Sequence, residues 1–151
     1  MDKLREDGLA VWRAFVNSHA AVIRRIEKDL SARRQVPLTW YDVLVALYQA
    51  PGKKLRMSEL ADKVVLTPSG VTRLVERLEK EGLVRRERTD EDRRGAYAVL
   101  TREGKRAFLQ AWPTYAEGIQ AYFLNLLNED ERRVIGECLS RIDQANRQPS
   151  P

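Results

Sequence analysis

A chain of 151 residues, 43% hydrophobic and 32% charged, has the size of one packed domain, and its composition excludes the disordered and membrane-spanning classes. The net charge of +5 is segregated: residues 53–106 hold 15 Lys/Arg against 10 Asp/Glu, and the flanks hold 12 of each, an imbalance suited to a face that meets phosphates. One cysteine (Cys138) and one histidine (His19) exclude a disulfide framework and a structural zinc site, and the charged start Met1-Asp2-Lys3-Leu4-Arg5-Glu6-Asp7 is unlike a secretory signal, so a cytoplasmic protein without metal or cofactor is expected.

The first predicted helix runs from about Asp7 to Ala32, with Trp12, Phe15, Val16, His19, Ile23, Ile26 and Leu30 recurring at steps of three and four. Pro37 opens a second helix with Trp40, Val43, Leu44, Leu47 and Tyr48 turned inward, and Pro51-Gly52 ends it. A short third helix puts Met57, Leu60, Ala61, Val64 and Val65 on one face. Thr67-Pro68-Ser69-Gly70 starts the fourth, with Thr67 as N-cap and Pro68 at the first helical position, where its missing N–H costs nothing. Val71, Leu74, Val75 and Leu78 form its buried stripe, and Gly82 supplies a left-handed stop.

Two strands follow, Leu83 to Arg88 and Ala96 to Leu100, joined by the charged turn Thr89 to Gly95. Thr101 caps a fifth helix carrying Phe108, Ala111, Trp112, Tyr115, Ile119, Tyr122, Phe123 and Leu126, which Pro113 is expected to bend. Asn128 with Glu131 starts a last helix carrying Val134, Ile135, Cys138, Leu139 and Ile142. The expected fold is therefore mainly α with a small β-hairpin wing: a winged helix-turn-helix flanked by long helices. The chain reads as a single domain over 1–151, with a DNA-binding lobe at 53–106 and dimerisation helices at 7–36 and 102–146. The long aromatic helices carry more apolar face than so small a lobe covers, and a second copy would cover it.

Burying 71, 74, 75 and 78 leaves Ser69, Thr72, Arg73, Glu76 and Arg77 outward on the second helix of a helix-turn-helix, where short hydroxyls and arginines suit base edges or phosphates. Thr67 and Gly70 join them at the helix start, and Arg88, Arg93 and Arg94 on the wing complete the expected DNA-binding set. An arginine on a thin wing fits a narrow minor groove, where the potential is most negative. No Ser/His/Asp set, phosphate-cradling glycine loop or metal cluster is present, so no enzyme is expected. The competing reading, a winged helix used for protein–protein contact, does not require the charge segregation. Cys138 reads as a small buried hydrophobe.

Leu60-Ala61, the run Thr67 to Val84, and Asp92-Arg93-Arg94 followed by Leu100-Thr101 and Gly104 resemble the MarR family of transcriptional regulators, over about residues 7–146. The resemblance implies a homodimer joined by the outer helices. It implies a palindromic duplex-DNA operator, read by the fourth helix in the major groove and the wing in the minor groove. It makes Arg94 the wing-tip arginine and Asp92 the residue that sets wing geometry. It also implies a repressor released by a small, often anionic aromatic ligand, with Trp12, His19, Trp40, Asp42 and Arg73 as candidate ligand contacts; His19 reads more readily as a hydrogen-bonded residue of the dimer interface. Asp42 and Arg73 align with positions used by the family's urate-responsive branch, which carries an extra N-terminal helix that is not found here.

Overall fold

The computed structural model describes residues 5–64, 68–88 and 95–147. The elements are α1 (Glu6–Ala32), α2 (Leu38–Gln49), β1 (Lys54–Arg56), α3 (Met57–Lys63), α4 (Pro68–Lys80), β2 (Val84–Arg88), β3 (Ala96–Leu100), α5 (Arg102–Tyr122) and α6 (Glu129–Asn146), with 3-10 turns at Pro51–Lys53 and Leu124–Leu126. This is the mainly α winged helix-turn-helix that the sequence predicts. The sheet differs in having three strands, in the order β1-β3-β2, all antiparallel. The strand β1 escapes a reading by periodicity because it has three residues and one apolar side chain, the buried Leu55.

The chain divides into two compact units. Glu27–Tyr115 holds nearly all of the buried apolar side chains. Val43, Leu44 and Leu47 of α2 meet Leu60 of α3, Val71, Val75 and Leu78 of α4, and Val84 and Ala98 of the sheet in one core. The expected α4 stripe is buried at all four positions. In α2 the inward set is shifted from the expected one, since Leu38 and Tyr41 are buried while Trp40 and Tyr48 are only half-buried. Tyr41 stacks edge-on against Phe108 and Tyr115, at 6.2 and 5.1 Å between centroids, and so anchors α2 on α5.

Two junctions explain the local sequence. After α4, Gly82 takes φ +72°, its N–H donates to the Glu79 carbonyl, and the Leu83 N–H donates to the Leu78 carbonyl, a Schellman turn that satisfies the helix end. At the start of α5, Thr101 Oγ1 accepts from the Gly104 N–H at 3.0 Å and donates to the Gly82 carbonyl at 2.7 Å. Gly104 is needed there because a Cβ would stand 2.1 Å from the Leu83 carbonyl oxygen. The Leu-Thr-x-x-Gly pattern is thus a clasp between the α4 turn and the head of α5.

The other unit, Met1–Ile26 with Ala116–Pro151, has a single buried apolar side chain among its described residues, Ile26. Ile26 packs where Gly118 leaves room, since a Cβ on Gly118 would lie 2.6 Å from Ile26 Cγ1. Arg25 stacks on the Tyr122 ring at 4.4 Å. Asn128 and Glu131 form the expected capping box, with both bonds at 2.9 Å. Trp12, Phe15, Val16 and His19, from the stripe of the first predicted helix, are exposed in the single chain, as are Leu126 and Ile142. Cys138 is half-buried rather than enclosed, with Arg141 Nη2 at 3.7 Å from its sulfur. Among the described residues no helix is long and apolar enough to cross a membrane. Pro113 lies inside α5, which continues through it to Tyr122.

Candidate nucleic-acid interface

With one face of α4 buried, helix geometry turns the other outward. Ser69, Thr72, Arg73, Glu76 and Arg77 are exposed on that face and Gly70 is half-buried beside them. Arg73 and Arg77 stand one turn apart, and Ser69 and Thr72 lie in the first two turns, where backbone N–H groups and the helix dipole also favour an anion. Arg88 is exposed at the end of β2 from which the wing departs. Thr67, Asp92, Arg93 and Arg94 lie outside the described residues, as does the rest of the expected wing tip.

Two features of this lobe go beyond the sequence reading. The first fastens the wing to α4. Along β2 side chains alternate, so Val84 and Arg86 share the face that looks toward α4. Arg86 puts Nη2 3.5 Å from Glu76 Oε1 and Nε 3.6 Å from Glu79 Oε1, while its backbone N–H donates to Glu79 Oε2 at 3.1 Å. Arg86 is 31% exposed, so these contacts are partly shielded from water and hold the root of the wing against α4. The period of two that starts at Val84 carries the signal.

The second feature covers the opposite face of the sheet. Residues directly opposed in antiparallel strands share a face, which puts Lys54, Arg56, Tyr97, Arg85 and Glu87 together. Arg56 Nε donates to the Tyr97 hydroxyl at 3.1 Å, and Arg56 and Lys54 lie 5.5 and 5.1 Å from the centre of its ring. Arg85 pairs with Glu87 at 2.5 Å. That hydrogen bond first, and to a smaller extent the charges of Arg85 and Lys54, hold the Glu87 carboxyl below the usual carboxylate range, against an opposing effect of desolvation.

The residues suggested for a small ligand fall into both units: Trp12 and His19 in one, Trp40, Asp42 and Arg73 in the other. Partial burial, and then the Glu27 carboxylate, push the Asp42 carboxyl above its ordinary range. The Tyr115 hydroxyl is raised by burial and by Asp42, and Tyr41 by burial, Tyr115 and Asp42. Trp112, exposed, stacks edge-on against Tyr115 at 6.0 Å. Asp42 therefore has an aromatic and acidic environment rather than a paired cation as its main influence.

Residues 34–95 match the profile of the MarR family. A curated relative from Bacillus anthracis, an uncharacterised HTH-type transcriptional regulator, is 33% identical over 120 residues, 78% of this chain and 77% of its own length. The HTH-type transcriptional regulator MhqR of Bacillus subtilis is 29% identical over 139 residues, 92% of this chain and 93% of its own. Among solved structures, Sco3205 of Streptomyces coelicolor, a MarR family transcriptional regulator crystallised in complex with DNA, superposes with a TM-score of 0.87 at 30% identity, covering 98% of this chain and 96% of that one. The winged helix-turn-helix, the α4–wing geometry and these similarities agree, and this chain belongs to the MarR family of transcriptional regulators.

Proposed function

We propose that this regulator is a sequence-specific duplex-DNA-binding repressor that acts as a homodimer on a palindromic operator in the cytoplasm and is released by a small anionic aromatic compound. The observation that carries the reading is the division of α4. Its four apolar residues are buried and its hydroxyl and arginine side chains are exposed, on an element that Arg86 and the two glutamates hold in fixed relation to the wing. Residues 53–106 then read DNA, with Thr67, Ser69, Gly70, Thr72, Arg73 and Arg77 in the major groove. Arg88, Arg93 and Arg94 serve the minor groove, and Asp92 sets the wing. The DNA complex of Sco3205 supports the same partner for this chain.

Homodimerisation through 7–36 and 102–146 is supported by the apolar side chains left exposed on one unit, among them Trp12 at 59% and Leu126 at 75%. Ligand response is supported by the aromatic surface beside Asp42, with Trp12, His19, Trp40 and Arg73 as the further contacts. The test is selection of bound fragments from the source genome, with sedimentation of the free protein beside it. The reading expects an enriched inverted repeat with half-site centres about 10 bp apart, and a dimer at micromolar concentration. Fragments no more enriched than bulk DNA favour the protein-contact reading, and a stable folded monomer contradicts the dimer.

A further inference from the structure

The strand β2 lies at the edge of the sheet, paired with β3 on one side. Val84 roots it in the buried core, and from there the strand leads out to the wing. An edge strand has backbone N–H groups that no neighbouring strand receives. At Arg86 that donor goes to a side chain of α4, Glu79 Oε2 at 3.1 Å. The guanidinium of the same residue reaches two carboxylates one helical turn apart, Glu76 and Glu79. Arg86 Nε is buried, so the guanidinium is directed into the gap between strand and helix rather than outward to a ligand. One residue in the middle of β2 thus meets α4 at two levels, which sets both the height and the rotation of the helix against the strand. Glu76 belongs to the exposed side of α4, with Arg73 and Arg77. A carboxylate there is ill suited to face phosphates, and it pairs with Arg86 instead.

Resting on the reading of this lobe as a duplex-DNA binder, we propose that Arg86, acting through Glu76 and Glu79, is a positioning residue that determines sequence discrimination. It sets the separation and tilt of α4 and the wing, so that both enter their grooves on one duplex together. A helix in the major groove and a wing in the adjacent minor groove engage the same duplex only when their relative placement matches it. Contacts to base edges need placement within about 0.5 Å, whereas attraction to phosphates declines gently with distance. Loosening the bridge therefore removes preference for the operator and leaves general affinity for DNA largely in place.

The proposal is tested by fluorescence anisotropy with a duplex selected by the wild-type chain and with an unrelated duplex, over a range of salt. The variants are Arg86→Ala and the double change Glu76→Gln with Glu79→Gln. Removing two negative charges from a DNA-binding lobe would by itself tighten binding to both duplexes. The proposal instead expects the ratio of the two affinities to fall by about tenfold, the discrimination of one bidentate base contact, in each variant. The double change should lower the ratio little further once Arg86 is alanine, because the bridge is already lost. Arg86→Lys, which keeps the charge without the fork, should restore part of the ratio. A fold weakened in general reduces the active fraction for both duplexes alike and leaves the ratio where it was. The double change, made at two exposed residues, keeps the test open if Arg86→Ala does not fold. An unchanged ratio in the double variant overturns the proposal, as does a salt slope lowered by about one in Arg86→Ala, which would make Arg86 a phosphate contact. In both cases the DNA-binding reading stands so long as the wild-type chain prefers its selected duplex. A wild-type chain that binds the two duplexes equally, or neither, removes that reading and the proposal together.

Discussion

Arg73 and Arg94 have different roles in the proposed reading and so should fail differently. Arg73 is exposed in the second turn of α4, within reach of base edges if that helix enters the major groove. Arg94, on the proposed reading, serves the wing and would meet groove shape and phosphates. Arg73→Ala should cost about 1–3 kcal/mol mainly on the specific operator and relax preference at one base pair per half-site. Arg94→Ala should weaken operator and random duplex together and lower the salt slope by about one. Anisotropy titrations on operator, single-base variants and random duplex separate the two, and parallel losses on all three for both variants contradict this division. Asp42 offers a test of another kind. Burial and Glu27 raise its carboxyl, so the folded chain holds that proton more tightly than the unfolded chain, and stability declines as pH rises from the unfolded pKa through the folded one. Asp42→Asn should therefore raise Tm at pH 7, with the gain vanishing below about pH 4, where the acid is protonated in both states. A gain of equal size at both pH values would assign the effect to packing. At this scale the outward face of α4 was legible because 71, 74, 75 and 78 fix which side is buried. Arg56, Tyr97 and Arg86 were not, because their partners are distant in sequence and depend on strand register.

The elements themselves follow from local chemistry where the start and stop signals are strong. α4 begins at Pro68 and stops at the Gly82 turn, α6 begins at an Asn128–Glu131 capping box, and α5 begins at Thr101, all as their sequences indicate. β1 was missed because its pairing with β3, rather than any pattern of its own, makes it a strand. The Thr101–Gly104 clasp gives a sharp prediction about α5. A methyl on Gly104 would meet the Leu83 carbonyl oxygen, a backbone atom held in the turn after α4, whereas a methyl on Gly136 in α6 meets nothing within 4 Å. Gly104→Ala should destabilise the chain by about 1–3 kcal/mol. Gly136→Ala should stabilise it by roughly 0.5–1 kcal/mol through helix propensity. Denaturant melts followed by circular dichroism measure both, and a neutral Gly104→Ala would show that the clasp yields without cost.

Across the whole molecule the two units differ in how much of their own apolar surface they bury. Glu27–Tyr115 has a core of its own, and the sequence located most of it from period alone. The other unit is amphipathic, as its sequence indicates, and Trp12, Phe15 and Val16 are exposed within one chain. A sequence pattern marks an apolar face without saying whether its cover comes from the same chain or from a second copy. Charge, in contrast, was legible at this scale: the basic excess lies in residues 53–106, which contain α4, the sheet and the α3–wing root. The central claim is that this excess meets the phosphates of duplex DNA. The most direct measurement is the affinity of the wild-type chain for its selected duplex as a function of salt. A dimer neutralising about 6–10 phosphates should lose roughly 10³–10⁵ in affinity between about 50 and 200 mM salt, whereas a flat response, or no binding at low salt, would contradict the account.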